Sequence, residues 1–269
     1  FLVVWEVMLI VSAGLLLGWG DGNDVAVVTL RYFVYSQTGS LLLLGALAYL
    51  VSITGSTHPA EIAASVSLAT PGALTAVAFA LLIGFGVKMA IVPIHGWLPD
   101  AHSVAPMPVT IMLASAMLPM GAYGMMRYML MVLGPVALQP LQLTILVLGI
   151  VSQVHGALMS LASRDVKRIV AYSSVSQMGY ILFGLGTLSA LGAQGALYHV
   201  VAHGVIKSLL FMAIGLVIHS TGRRSIEALG DLWHHQRGAM IALAVGAAAL
   251  AGIPPLAAYL GEWRILSAG

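Results

Sequence analysis

Apolar residues run along this chain in long stretches, and the polar ones gather in short groups between them. Read by run length, the pattern predicts eight membrane-spanning helices, approximately 1–19, 29–53, 72–92, 107–133, 140–162, 167–187, 193–219 and 239–267. The alternation of period two that marks a barrel strand is absent, so the expected fold class is all-α and polytopic. Between the second and third runs, Ser56 to Pro71, with His58 and Glu61, is expected to form either a short interfacial helix or a plain loop, the helix being preferred.

Two of the runs are interrupted. In the third, Pro93, His95 and Pro99 follow directly on an apolar helix, with further prolines at 106 and 108. In the eighth, Gly252, Ile253, Pro254 and Pro255 do the same. Backbone freed at membrane depth is tolerated only where protein or a water-filled cavity receives it. The two breaks lie five segments apart, so the helices enter from opposite faces, the arrangement of an inverted five-helix repeat.

Composition agrees with a membrane chain: 60% hydrophobic and 7% charged over 269 residues, against about 25% charged in soluble domains. Mean hydropathy is +1.00. The absence of cysteine excludes disulfides, thiolate zinc and iron–sulfur clusters, and no nucleic-acid-binding pattern is present. Arg164, Lys167, Arg168, Arg223, Arg224 and Arg237 fall in loops of one side, with Arg31 near them, while the other side has Arg127 and Arg264. The positive-inside rule makes the first side cytoplasmic and puts the first residue outside. The run 163–168 reads as a helix start with Asp165 as its acidic residue, its basic neighbours needing no chemical role. Phe1 and Gly269 are read as cuts through a longer protein, the whole of 1–269 forming one transmembrane unit. Glu6 stands where a cleavable leader would carry basic residues, so no signal peptide is expected.

Four charges lie inside apolar runs: Glu6, Lys88, Lys207 and Glu262. A lysine costs about 2.5–3.5 kcal/mol at a bilayer centre, so such residues mark function unless they snorkel to an interface. Glu262 has a plainer reading as the partner of Arg264. His199, His203 and Lys207 recur at intervals of four and share one helical stripe, suited to passing protons through intervening water. Two histidines at that spacing could also ligate zinc, but no third ligand follows, so no metal site is expected. His155 is either a packed core histidine or a relay, and His95 with Asp100 serves either turn formation or ion passage. Tyr172, Ser173, Ser174, Ser176 and Gln177 line either a water path or a helix contact.

Several blocks together carry a resemblance: the segment around Glu6, VKMAIVPIHGWLPDAH at 87–102, RDVKRIVAYSSVSQMGY at 164–180, HVVAHGVIKSLLF at 199–211 and GIPPLAAYLGEWRIL at 252–266. In this order and over nearly the whole chain, they resemble the antiporter-like membrane subunits of respiratory complex I, membrane-bound hydrogenases and multisubunit Na+/H+ antiporters. The resemblance implies a fragment of a roughly fourteen-helix subunit with two inverted five-helix repeats. It implies that Glu6 pairs with Lys88, that Lys207 is the central lysine with His199 and His203 beside it, and that Glu262 is the terminal carboxylate. A carboxylate 4 Å from a lysine favours the charged ammonium by about 4 kcal/mol at an effective dielectric of 20. Pro119 departs from the pattern, standing where many members carry lysine.

The function so implied is proton translocation coupled to electron transfer in other subunits of an NADH:quinone oxidoreductase-like complex, with no cofactor in this chain. Its partners would be other membrane and peripheral subunits and the lipid bilayer, in a prokaryotic inner membrane. The alternatives are a hydrogenase or formate hydrogenlyase subunit, a Na+/H+ antiporter subunit, and a non-conducting scaffold. Sodium needs clustered oxygen ligands at depth. Two lysines and two separated glutamates favour protons.

Overall fold

The computed structural model describes residues 1–230 and 232–269. Helices α1 (Leu2–Trp19) and α2 (Val25–Thr54) are followed by α3 (Pro59–Ser65), α4 (Pro71–Met89) and α5 (Trp97–Val104). Next come α6 (Met107–Met112), α7 (Leu118–Gly124), α8 (Gly134–Leu138) and α9 (Gln142–Ala162). The chain continues through α10 (Val166–Gly186), α11 (Ala190–Thr221), α12 (Leu232–His235), α13 (Arg237–Leu250) and α14 (Ala257–Ala268). Among the described residues six helical runs are long and apolar enough to cross a membrane. One of them, Met107–Ala162, has 56 residues, far more than a span needs. It passes through π-helical turns at Leu113–Met117 and Met125–Leu133 and is interrupted at Gly134, φ +80°.

The expected interfacial helix is the seven-residue α3, in which Ile62 is buried and Glu61 accepts a hydrogen bond from Ser56. Leu30, Val3, Ile10, Val205 and Leu161 point outward from apolar helices, the side chains of a surface that faces hydrocarbon. Inside, α4 packs between α2 and α7, α10 against α9 and α11, and α11 against α13 and α14.

Both breaks fall where the prolines predict, and each is closed by side chains from neighbouring helices. At the first, α4 stops at Met89, Ala90 turns left-handed with φ 55°, and the chain resumes as α5 at Trp97. The Trp97 indole donates to the Val87 carbonyl at 2.9 Å, and Ser152 Oγ of α9 accepts from Val92 N at 3.0 Å. At the second, α13 stops at Leu250, whose carbonyl accepts from Gln177 Nε2 of α10 at 3.2 Å. Buried backbone groups that lose helical partners must find others, and these three contacts supply them.

The basic residues gather on one face, as their loop positions predict. Asp100 of α5 pairs with Arg31 of α2 at 3.7 Å and with Arg168 of α10. Arg224 pairs with Asp165 at 3.4 Å and donates to the Ser103 carbonyl at 2.6 Å. Asp165 caps α10, its Oδ1 accepting from Lys167 N and Arg168 N at 2.8 and 3.1 Å.

Candidate functional site

Lys88 sits in the last turn of α4, 2% exposed, because the break leaves its side chain in the space between α1 and α2. Its ammonium donates to Tyr32 Oη at 3.3 Å and lies 5.4 Å from the Tyr32 ring centre and 5.9 Å from that of Trp5. Tyr32 Oη is 2.6 Å from Ser12 Oγ, and Ser12 in turn donates to the Leu9 carbonyl at 3.0 Å. The four groups form one directed chain: ammonium, phenol, hydroxyl, carbonyl. Among the described residues no carboxylate lies within 4.0 Å of Lys88. The expected Glu6–Lys88 ion pair is therefore not closed in this structure. Glu6, next to Trp5 on α1, acts on the ammonium through its charge from beyond ion-pair distance, with the Trp5 and Tyr32 rings lying beside the ammonium.

In the second half, His199, His203 and Lys207 share the buried stripe of α11 that their spacing predicts, each fully buried. Lys207 Nζ donates to Ser173 Oγ at 2.6 Å and to the Val170 carbonyl at 3.0 Å, both on α10. Like Lys88, it is held by uncharged oxygens. Ser174 instead bonds its own helix at the Val170 carbonyl, and Tyr172 packs at the edge of the apolar core, so neither reaches the lysine. His199 Nε2 donates to Gln177 Oε1, which fixes the imidazole proton on that nitrogen. His199 Nδ1 and both nitrogens of His203 have no protein hydrogen-bond partner among the described residues.

Glu262 of α14 is not paired with Arg264 among the described ion pairs. Its carboxylate lies over Gly252, where a Cβ would collide with it, and faces the Gln177 side chain. Gln177 thus stands between His199 and Glu262. His95 and His155, expected only as relay candidates, meet with their Nε2 atoms 3.0 Å apart. Pro119 is buried, with no N–H to return to the Ser115 carbonyl four residues back, and that carbonyl meets α11 at Gly204.

Four further groups join the site without having been singled out in the sequence. Tyr32 and Ser12 read there as ordinary residues of apolar helices. Lys167 read as an exposed basic residue, yet it is 4% exposed and donates to the Ala105 carbonyl at 2.6 Å. His102 is fully buried, stacked on Phe211 at 5.0 Å, with both nitrogens lacking a protein partner among the described residues. Its signal was a second histidine seven residues after His95 in a proline-broken stretch. Among the described residues no three His, Asp or Glu side chains converge as a metal site.

The family described as NADH:quinone oxidoreductase/Mrp antiporter, TM matches residues 1–269. NAD(P)H-quinone oxidoreductase chain 4 3 of Picosynechococcus is 35% identical over 98% of this chain and 48% of its own length. Among solved structures, a chain of respiratory complex I from Thermus thermophilus with bound NADH superposes with a TM-score of 0.91 at 25% identity, covering 100% of this chain and 57% of that one. A chain of the Mrp complex from Dietzia superposes with a TM-score of 0.89 at 31% identity, covering 99% of this chain and 29% of that one. The chain spans about half the length of the curated relatives it matches. On the match along its entire length, this chain belongs to the NADH:quinone oxidoreductase/Mrp antiporter transmembrane family.

Proposed function

We propose that this chain is the proton-conducting core of an antiporter-like subunit in a complex I-like NADH:quinone oxidoreductase, driven by electron transfer in other subunits. The observation that carries this reading is the burial of two lysines, Lys88 at 2% and Lys207 at 0% exposure, the first held by the Tyr32 hydroxyl and the second by the Ser173 hydroxyl and the Val170 carbonyl, with no carboxylate within 4.0 Å of either among the described residues. An amine so held can be loaded and emptied of one proton, whereas one locked in a buried ion pair stays charged. Glu6 acts on Lys88 by approaching or leaving it, a reading supported by its charge reaching the lysine without a contact within 4.0 Å among the described residues. Closing the pair to 4 Å adds about 4 kcal/mol in favour of the ammonium at an effective dielectric of 20.

Protons pass between the halves through the buried imidazoles. His102, His203 and His199 present ring nitrogens with no protein partner among the described residues, and such groups take hydrogen bonds from internal water. His199, Gln177 and Glu262 then lead toward the second break. The basic face is cytoplasmic and Phe1 lies toward the outer side of a prokaryotic inner membrane. Redox centres reside in the partner subunits, and this chain carries none.

The test is Lys207→Ala in the full-length protein within its parent complex, reconstituted in vesicles. Proton translocation per electron should fall, and an unchanged yield overturns the reading. A second reading, a subunit of a Na+/H+ antiporter, is supported by the 31% identity to the Mrp chain. Sodium-dependent transport without any electron donor would establish it in place of the first.

A further inference from the structure

Helix α2 carries a row of hydroxyls that the two lysines and the relay histidines do not account for. Thr29, Tyr32, Ser36 and Ser40 fall on one helical face, and each is at least 94% buried. Thr29 Oγ1 and Ser40 Oγ have no protein hydrogen-bond partner among the described residues, and Ser36 lies against Tyr32. A buried hydroxyl without a partner is costly, so two of them on one stripe of a membrane helix call for a function or for water. The stripe has a direction. Thr29 is one turn from the start of α2, at the end where Arg31 joins the basic face, and Tyr32 is the next residue on the stripe. Tyr32 touches Lys88 on one side and Ser12 on the other.

We propose that Thr29 and Tyr32 form the route by which protons from the basic face reach Lys88, with Tyr32 making the last transfer. This rests on Lys88 carrying protons, as the proposed function holds. In the loading step the amine of neutral Lys88 takes the phenolic hydrogen of Tyr32, and the phenol oxygen takes a hydrogen from a hydronium held at Thr29. One N–H and one O–H bond form, one phenolic O–H and one hydronium O–H bond break, and Tyr32 ends unchanged. Ser12, which donates to the Leu9 carbonyl, accepts the phenolic hydrogen while Lys88 is an ammonium; when Lys88 is neutral the O–H turns from Ser12 to the amine and is passed on. Ser40 lies two turns beyond Tyr32, past the point of delivery, and takes no part.

The experiment uses the full-length chain in its parent complex, in vesicles, reading proton translocation against electron transfer. Tyr32→Phe keeps the ring, its volume and its contact with the ammonium, so a packing role would survive it. The route requires at least about a tenfold slower translocation, as for loss of a positioned proton carrier. Thr29→Val, of the same shape, should slow it severalfold, and Ser40→Ala should leave it unchanged. Full translocation in Tyr32→Phe overturns the route, as does equal slowing by Ser40→Ala. If Tyr32→Phe prevents assembly, Thr29→Val decides alone. Lys88→Ala separates the two levels. If it too leaves translocation intact, the proposed function fails and the route with it; if it stops translocation while Tyr32→Phe does not, only the route fails.

Discussion

His95 and His155 face each other with Nε2 atoms 3.0 Å apart, joining the segment that breaks α4 to the middle of α9. Their rings meet edge to face at 73°. The contact needs one nitrogen with a hydrogen and one with a lone pair, so it holds with both rings neutral or with one charged, and opens when both are charged. With Ser152 bonded to Val92 N, it gives α9 two holds on the break.

The first prediction is that these two residues are coupled. His95→Ala and His155→Ala should each destabilise the chain, and the double variant should cost less than their sum. The coupling should be about 0.5–1.5 kcal/mol, the usual net value of a hydrogen bond. Denaturant titration of all four proteins in detergent measures it, and additivity would mean that the contact contributes nothing.

A second prediction concerns Gly252. Its φ of +66° disfavours any side chain, by about 1–2 kcal/mol, and its missing Cβ makes room for the Glu262 carboxylate. Gly55, with φ +71°, has the same strain but open space around it. Gly55→Ala should therefore cost stability alone. Gly252→Ala should cost the same stability and also displace Glu262, lowering proton yield in the reconstituted complex. Equal yields in the two variants would show that the carboxylate need not sit there.

These two sites show which parts of the molecule were legible in the chain. The breaks were, because proline and glycine act locally, and so was the stripe of His199, His203 and Lys207, because helical spacing fixes a face. What each face meets was not. Tyr32 reaches Lys88 across 56 positions in sequence, and nothing local distinguishes it from Tyr35 on the same helix, which is exposed. Glu6 was expected to pair with Lys88; its charge reaches the lysine, yet its carboxylate does not come within 4.0 Å among the described residues, a distance that helical register alone does not decide. Lys167 was read from its position near a loop, and its burial follows from α5 folding back under α10, which only the three-dimensional path of the break decides.

A third prediction follows from the amide between an imidazole and a carboxylate. Gln177 accepts from His199 and donates to the Leu250 carbonyl, so it satisfies one buried and one part-buried group while carrying no exchangeable charge of its own. Gln177→Leu should leave both without partners and cost about 1–3 kcal/mol for each one left unsatisfied. Gln177→His keeps a donor and an acceptor and adds a group that takes up protons, so it should restore stability relative to leucine and retain translocation. Thermal denaturation of the two variants, with proton yield alongside, checks this. A leucine variant as stable as the parent would remove Gln177 from the account.

The last prediction tests whether the charged face positions the buried lysine. Asp100 joins Arg31 and Arg168, with the three side chains 27%, 63% and 40% exposed. Ion pairs this accessible contribute about 0.2–1 kcal/mol each, so Asp100→Asn should cost under about 2 kcal/mol in all. The difference from the parent should shrink on raising salt, since exposed charges are screened beyond about 10 Å at 0.1 M and about 3 Å at 1 M. Asp100 lies in the first turn of α5, three residues after Trp97, whose indole holds the Val87 carbonyl and whose ring stands 5.0 Å from Tyr32. Loosening the clasp therefore loosens the wall of the Lys88 site more than it loosens the fold. Hydrogen exchange should rise across 97–104 in Asp100→Asn while α1 and α2 keep their protection. If exchange rises equally everywhere, the clasp serves global stability, and α5 is held by its apolar contacts alone.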